Sequence, residues 1–513
     1  FKENREKPFH IMAGMKSLAK DTALYGLSSI IGKLLNWLLV PLYVVKVNDY
    51  EFGEVTQLYA WTALLLVFLT YGLETGFFRF ANKEEHSDPK LVYSTCMGSL
   101  WGTTALFLVL IFLFLNPLAT SMGFAGQEEY LGMMAIVIAI DVLSSLPFAL
   151  LRYEKRPLRF ASIKLLFVFL NISLNLFFLV LCPVLYHTNP TLTSLVYQPE
   201  KSGVFYIVLS NLIASAFMMT GLIPQLVGTG FRFDKKLWIQ ILRYSFPLLI
   251  LGVAGIINQT ADKILFPMLV EDAETAKSQL GIYGANYKFA VVMIMFIQAF
   301  RFAYEPFVFG KHRNADNKQA YIQAMKYFII FGLFIFLSVG LLIGFLPEIP
   351  VVARHIHPEY FSGLAVVPIV MMAEFFFGIF FNLSFWYKLT DKTRWGAYFS
   401  VSGCILTIVM NILLVPHFGY MACAWTAFTV YLLMMSASYY FGQKYYPIRY
   451  EVKNALVYFS LTIVLFGAGI FVPISSTIWL FLFRLSLIFI YSFIVIKKDL
   501  PLKEIPFINK LIR

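Results

Sequence analysis

Ionisable side chains recur inside long apolar stretches of this chain: Lys33, Asp141, Asp262, Lys263, Lys288, Arg301, Glu305, Glu374 and Arg484. On insertion scales such a residue costs roughly 2.5 to 3.5 kcal/mol near the middle of a membrane helix, so each needs a partner, a wet cavity or an end position from which to reach the interface. Ser29, Lys33 and Asn36 sit at i, i+4 and i+7 and form one polar stripe. A cation with an amide on one face suits contact with a phosphate or sugar in a cavity, and it equally suits hydrogen bonding between helices. Asp141, with Ser144 and Ser145, is placed either to neutralise Lys33 or to take up a proton. Asn258 and Asp262 share a face beside Lys263, and Asp262 fits a structural pair with Lys288 or an ion-coupling role.

Gln298, Arg301 and Glu305 also share a face, whereas Lys288 and Arg301 are about 140° apart around the same helix. Arg301 is then a cavity cation or the partner of Glu305 at i+4. Glu374 is a third candidate for ion coupling, with no partner evident in sequence, and Arg484 reads as snorkelling or structural. His355 and His357, beside Arg354, read as an exposed loop or a glycan contact.

No catalytic set accompanies these residues. The longest outer loop, about 184–202, holds one carboxylate, Glu200, and the turn with Asp49 and Glu51 is too short to form a site alone, which argues against a membrane glycan polymerase or ligase. Cys96, Cys182, Cys404 and Cys423 follow neither a metal-ligand spacing nor a disulfide framework, so no disulfide, zinc site or other cofactor is expected.

The elements that position these groups follow from composition. The 513 residues are 59% hydrophobic and 14% charged, against about a quarter charged in a soluble domain. Apolar runs predict an all-α integral membrane protein with about fourteen spans: 21–45, 54–78, 91–115, 130–151, 160–183, 203–227, 243–269, 281–309, 322–346, 360–387, 396–415, 419–442, 454–472 and 476–496. Of the 41 Lys and Arg, 32 fall in the termini and alternate loops of one face, and only Lys46, Lys201, Lys277 and Arg354 fall on the other. The positive-inside rule then puts both termini in the cytoplasm. The net charge of +12 is topology and not nucleic-acid affinity, with anionic membrane lipids as the partner it implies. The first span is expected to be an uncleaved anchor, with translation starting at Met12 or Met15.

Spans 1–6 and 7–12 read as a direct repeat. Pro41 and Pro267 fall late in the first span of each half, Tyr50-Glu51-Phe52-Gly53 aligns with Gly281-Ile282-Tyr283-Gly284, and Glu74 aligns with Glu305. Six spans per half return the chain to its starting face, giving two parallel bundles around a central cavity. The expected organisation is a cytoplasmic segment 1–20, lobes 21–227 and 243–442 joined by a linker 228–242, two further spans within 454–496, and a basic tail 497–513. The last two spans line a lipid-facing groove or add packing.

The runs Asn258 to Lys263, Leu280 to Lys288 and Phe300 to Pro306, the turn Asn411 to Tyr420 and the motif Tyr50 to Gly53 resemble O-antigen and capsule flippases, the Wzx-type polysaccharide transporters of the multidrug/oligosaccharidyl-lipid/polysaccharide exporter superfamily. The resemblance spans the first twelve helices. It implies a flippase in the bacterial inner (plasma) membrane that moves undecaprenyl-pyrophosphate-linked oligosaccharide for O-antigen and lipopolysaccharide biosynthesis, with H+ or Na+ as a coupling ion. Multidrug and peptidoglycan-precursor exporters share the same fold and are the rival readings. The charge partition carries its own test: a topology reporter fused after Arg513 is active only in its cytoplasmic form, and activity confined to the outside would overturn the orientation.

Overall fold

The computed structural model describes residues 31–32, 34–35, 37–82, 88–227, 230, 232–310, 317–390 and 392–499. These residues form helices and loops, with no strand among them. With no water in hydrocarbon to satisfy amides, the helix is the element that closes its own backbone hydrogen bonds. Thirteen helices among the described residues are long and apolar enough to cross a membrane. About half of the first expected span lies outside the described residues; its described end is α1, Leu39–Lys46. There follow α2 (Asp49–Ala81), α3 (Pro89–Leu113), α4 (Glu128–Tyr153), α5 (Pro157–Thr188), α6 (Gly203–Val227) and α7 (Lys235–Leu269). The second half comprises α8 (Ala273–Gly310), α9 (Asn317–Leu342), α10 (Val366–Lys388), α11 (Arg394–Phe418), α12 (Tyr420–Tyr445), α13 (Val452–Phe471) and α14 (Thr477–Lys498).

Several helices start earlier than hydropathy alone suggests, because polar caps recruit polar first turns. Asn48 accepts a 2.8 Å hydrogen bond from the Glu51 amide while Glu51 accepts from the Asn48 amide at 3.2 Å, a capping box that starts α2 five residues before the expected span. Asp234 accepts from the amides of Lys236 and Leu237, so α7 begins at Lys235 and takes in residues 235–242 of the expected linker. Asp272 does the same for α8 through the Thr275 amide at 2.9 Å and the Thr275 hydroxyl. Those two hydrogen bonds hold the Asp272 carboxyl below its ordinary range. The early start of α8 corrects one expectation: Lys277, counted among the outer-loop cations, lies within a helix and is buried.

The chain packs as two compact units. The first runs to Ala285 and takes in Ser400–Cys423; the second comprises Asn286–Phe399 and the chain from Ala424 onward. In the first unit, Leu73, Phe77, Tyr93, Val142, Leu146 and Ile241 form a core shared by α2, α3, α4 and α7. Left-handed Tyr71 and Gly72 break α2, and below the break Glu74 pairs with Arg152 of α4. In the second unit, rings run from Phe296 through Phe328, Phe375 and Phe376 to Phe459, linking α8, α9, α10 and α13.

Arg484 fastens the end of this unit. Its Nε donates to the Gly469 carbonyl at 2.9 Å and its guanidinium to the Leu341 carbonyl at 3.0 Å, over the Phe345 ring. One side chain of α14 thus satisfies carbonyls of α9 and α13 near their ends, the structural role among those weighed for it. Hydrogen bonds to a charged group contribute about 1.5–3 kcal/mol each. Arg484→Leu is therefore expected to lower the apparent thermal unfolding midpoint in detergent by several degrees. Ser486→Ala, whose hydroxyl bonds only within its own helix, serves as the control and leaves the midpoint nearly unchanged.

Candidate functional site

A close helix crossing in the first unit joins the two sequence repeats. At the end of the bundle poor in Lys and Arg, Gly53 of α2 faces Gly281 of α8. A methyl group on Gly53 would land on the Lys277 carbonyl, and one on Gly281 would land on the Asp49 carbonyl. Only glycine lets the two backbones approach this far. The contact carries Lys277 into α2: its ammonium lies 2.8 Å from Glu54 Oε1 and 3.3 Å from the Tyr50 hydroxyl, and it also donates to the Gly123 carbonyl. The rings of Phe124 and Tyr50 stand 4.2 and 5.0 Å from the ammonium. Lys277 and Glu54 are only 2% and 1% exposed. Ser278 donates to Asp49 one turn from this pair. The result is a latch: a buried ion pair whose desolvation is offset by a carbonyl, a phenol and two ring faces.

Sequence reasoning missed the latch because Ala273 to Leu280 is polar enough to read as a loop. The available signal was a glycine in each of two aligned motifs, with a carboxylate beside the first and a lysine one turn before the second.

Asp262 of α7 is buried, accepts from the Tyr283 hydroxyl at 2.6 Å and from Lys263 Nζ at 2.9 Å, and has Asn258 one turn away. The Asn258 amide donates to the Ser400 carbonyl at 3.0 Å and accepts from the Thr407 hydroxyl at 3.2 Å, tying α7 to α11. Asp141 of α4 is half-buried, and Lys164 of α5 lies 4.2 Å from the centre of the Phe148 ring. Glu374 of α10 is buried and accepts from the Tyr287 hydroxyl of α8 at 2.7 Å, a partner its sequence position did not reveal.

Arg301 stacks its guanidinium 3.5 Å from the centre of the Phe381 ring, with Gln298 half-buried one turn earlier on α8. Lys288 is half-buried on the same helix. Lys33, Asn36 and the Glu305 side chain lie outside the described residues. Arg354, His355 and His357 are exposed, but Arg354 and His355 close a short helix, Pro350–His355, in place of the expected loop. Among the described residues, no three His, Cys, Asp or Glu converge in a metal-binding group.

A bundle of this order, with polar groups paired between helices and a glycine-mediated crossing between its repeats, defines a polytopic membrane protein. Residues 18–304, more than half of the chain, match the family described as polysaccharide biosynthesis protein, and the chain belongs to that family. Its fold is shared with a structure titled lipid II flippase MurJ, inward closed conformation, at a TM-score of 0.70 and 14% identity, covering 96% of this chain and 100% of that one. An inward-facing multidrug resistance MATE family transporter of the MOP superfamily matches at a TM-score of 0.61 and 13% identity, covering 82% of this chain and 94% of that one. The MATE transporter ClbM in complex with Rb+ matches at 0.53 and 13%, covering 86% and 97%. Among curated proteins, none matches the chain.

Removing one member of a buried ion pair leaves the other charge without its partner and typically costs about 3–5 kcal/mol. Glu54→Gln and Lys277→Gln are each expected to reduce the folded protein recovered from membranes and its thermal midpoint. The double variant loses less than the two single losses combined. Strictly additive losses would show that the two charges act independently.

Proposed function

We propose that the protein is a flippase of the bacterial inner membrane, with both termini cytoplasmic, that moves an undecaprenyl-pyrophosphate-linked oligosaccharide to the outer leaflet for surface polysaccharide such as O-antigen. The family carries this reading: a polysaccharide biosynthesis protein match over residues 18–304 on a fold that a lipid II flippase also adopts. Transport proceeds by alternating access, with the lobes 21–227 and 243–442 closing and opening around a central cavity. The Glu54–Lys277 latch supports such a cycle, since it joins the two repeats at the basic-poor end and its polar partners can be exchanged for water when that end opens.

Lys33, Asn36, Gln298 and Arg301 are the residues proposed to face the substrate. Cations at these depths suit a pyrophosphate head better than the organic cations of a multidrug exporter. A peptidoglycan-precursor exporter of the same fold remains the alternative substrate reading. Asp141, Asp262 and Glu374 are the candidates for coupling to H+ or Na+. No enzymatic step enters this reading.

A guanidinium can hold a phosphate through two parallel hydrogen bonds where an ammonium acts as a point charge and a neutral amide supplies no charge at all. One charge-assisted hydrogen bond contributes about 1.5–3 kcal/mol, which is about tenfold or more in affinity. Arg301→Gln is therefore expected to lower glycan display in a complementation assay, normalised to protein in the membrane, more severely than Arg301→Lys. Lys33→Gln is expected to be similarly impaired. Full transport by well-expressed Lys33→Gln and Arg301→Gln variants would sink the cavity assignment. Recovery in an Arg301→Gln/Glu305→Gln double variant would instead assign Arg301 to an ion pair.

A further inference from the structure

The last turns of α5 and the connection to α6, residues 182–202, form a built element. The Tyr206 hydroxyl donates to the Gln198 carbonyl at 2.8 Å and accepts from the Gln198 amide at 2.6 Å. The Tyr206 ring stacks on Tyr197 at 4.9 Å and on Phe178 at 5.2 Å, and Tyr186 meets Tyr197 edge-on. Ser202 and Tyr130 hydrogen-bond at 2.6 Å, and Lys201 pairs with Glu129 of α4 at 2.6 Å. A single turn, Pro190–Thr193, is closed by the Thr193 hydroxyl donating to the Asn189 carbonyl.

This scaffold turns apolar side chains outward. Leu192 is 72% exposed, Leu195 79%, Val196 55% and Val184 61%. Water-facing loops scatter such residues singly; a contiguous group marks a surface that meets an apolar partner.

Position identifies the partner. The 32 residues of α5 span about 48 Å at 1.5 Å per residue, more than the roughly 30 Å hydrocarbon core and comparable to the bilayer with its headgroups. The loop therefore emerges at headgroup level. Exposed apolar side chains mark α5 along its length, with Phe169 at 67% and Leu176 and Leu181 at 47%, and recur beyond it at Leu192 and Leu195. Charge agrees: between residues 182 and 202 only Glu200 and Lys201 carry formal charge besides His187, and Lys201 is occupied by Glu129. Tyr186 and Tyr197 supply the amphipathic rings typical of the interface.

We propose that residues 184–196 form an interfacial foot that lies in the leaflet at the basic-poor end of the bundle, with Leu192, Leu195 and Val196 buried at the boundary between headgroups and acyl chains. The partner is the lipid surface itself, held without any basic patch, so its attachment depends on apolar burial and not on anionic headgroups.

The four native cysteines are buried, which favours selective labelling of introduced ones. Leu192→Cys, Leu195→Cys and, as the polar reference, Glu200→Cys carry a nitroxide label in the full chain, reconstituted in phosphatidylethanolamine/phosphatidylglycerol vesicles. Collision rates with oxygen, which concentrates in lipid, and with a nickel chelate, which stays in water, are compared. At 192 and 195 the oxygen-to-nickel ratio is expected to exceed that at 200 severalfold, and to persist in vesicles of phosphatidylcholine alone. Equal nickel access at all three sites would overturn the proposal in favour of a water-facing loop. Labels at 192 and 195 shielded from both reagents would overturn it in favour of a protein contact.

Discussion

A charge or amide taken out of water inside a bilayer has to find its partner within the protein, because hydrocarbon supplies none. That constraint organises what is seen here. Helices close their own backbone hydrogen bonds, and the polar side chains they carry are spent on joining one helix to another. Lys277 joins α8 to α2, Asn258 joins α7 to α11, Glu374 takes the Tyr287 hydroxyl of α8, and Arg484 gathers carbonyls from α9 and α13. The apolar effect that packs a soluble core gives little preference for one helix over another in lipid, so these few polar contacts and the closely fitting glycines fix which helices are neighbours.

The constraint also limits what the proposed alternating-access cycle can use. A contact meant to break during a cycle must be made of groups that water can receive when the protein opens. The Glu54–Lys277 pair meets that condition. Both groups are held by hydrogen-bonding partners that water can replace, and the glycine crossing beneath them adds contact without adding side chains that would have to be withdrawn. Asp262, by contrast, is paired with the lysine next to it in sequence and accepts the Tyr283 hydroxyl of α8.

Most of the architecture was legible in the sequence because the bilayer imposes a length and a polarity that hydropathy reads directly. Thirteen expected spans, from the second at 54–78 to the last at 476–496, have their counterparts among the described helices, and the family resemblance rested on Gly53, Tyr283 and Asn411 motifs within them. What escaped were starts set by hydrogen bonding instead of hydropathy. Asp272 begins α8 in a polar segment, and that shift alone moves Lys277 from a solvated loop into a buried pair. Partners were harder still, since helical spacing says which residues share a face and not which helix that face meets. Tyr287 for Glu374 and the Leu341 carbonyl for Arg484 are contacts between segments far apart in the chain.

The arrangement around Arg484 bears on how the chain is made. Leu341 and Gly469 leave the ribosome 143 and 15 residues before the side chain that satisfies their carbonyls. Until α14 is inserted, these two carbonyls near the ends of α9 and α13 lack the donor that joins them, and the second unit stays incomplete. A chain cut short anywhere before residue 484 would thus present the quality-control proteases of the membrane with an open seam, while a finished one closes it with a single residue.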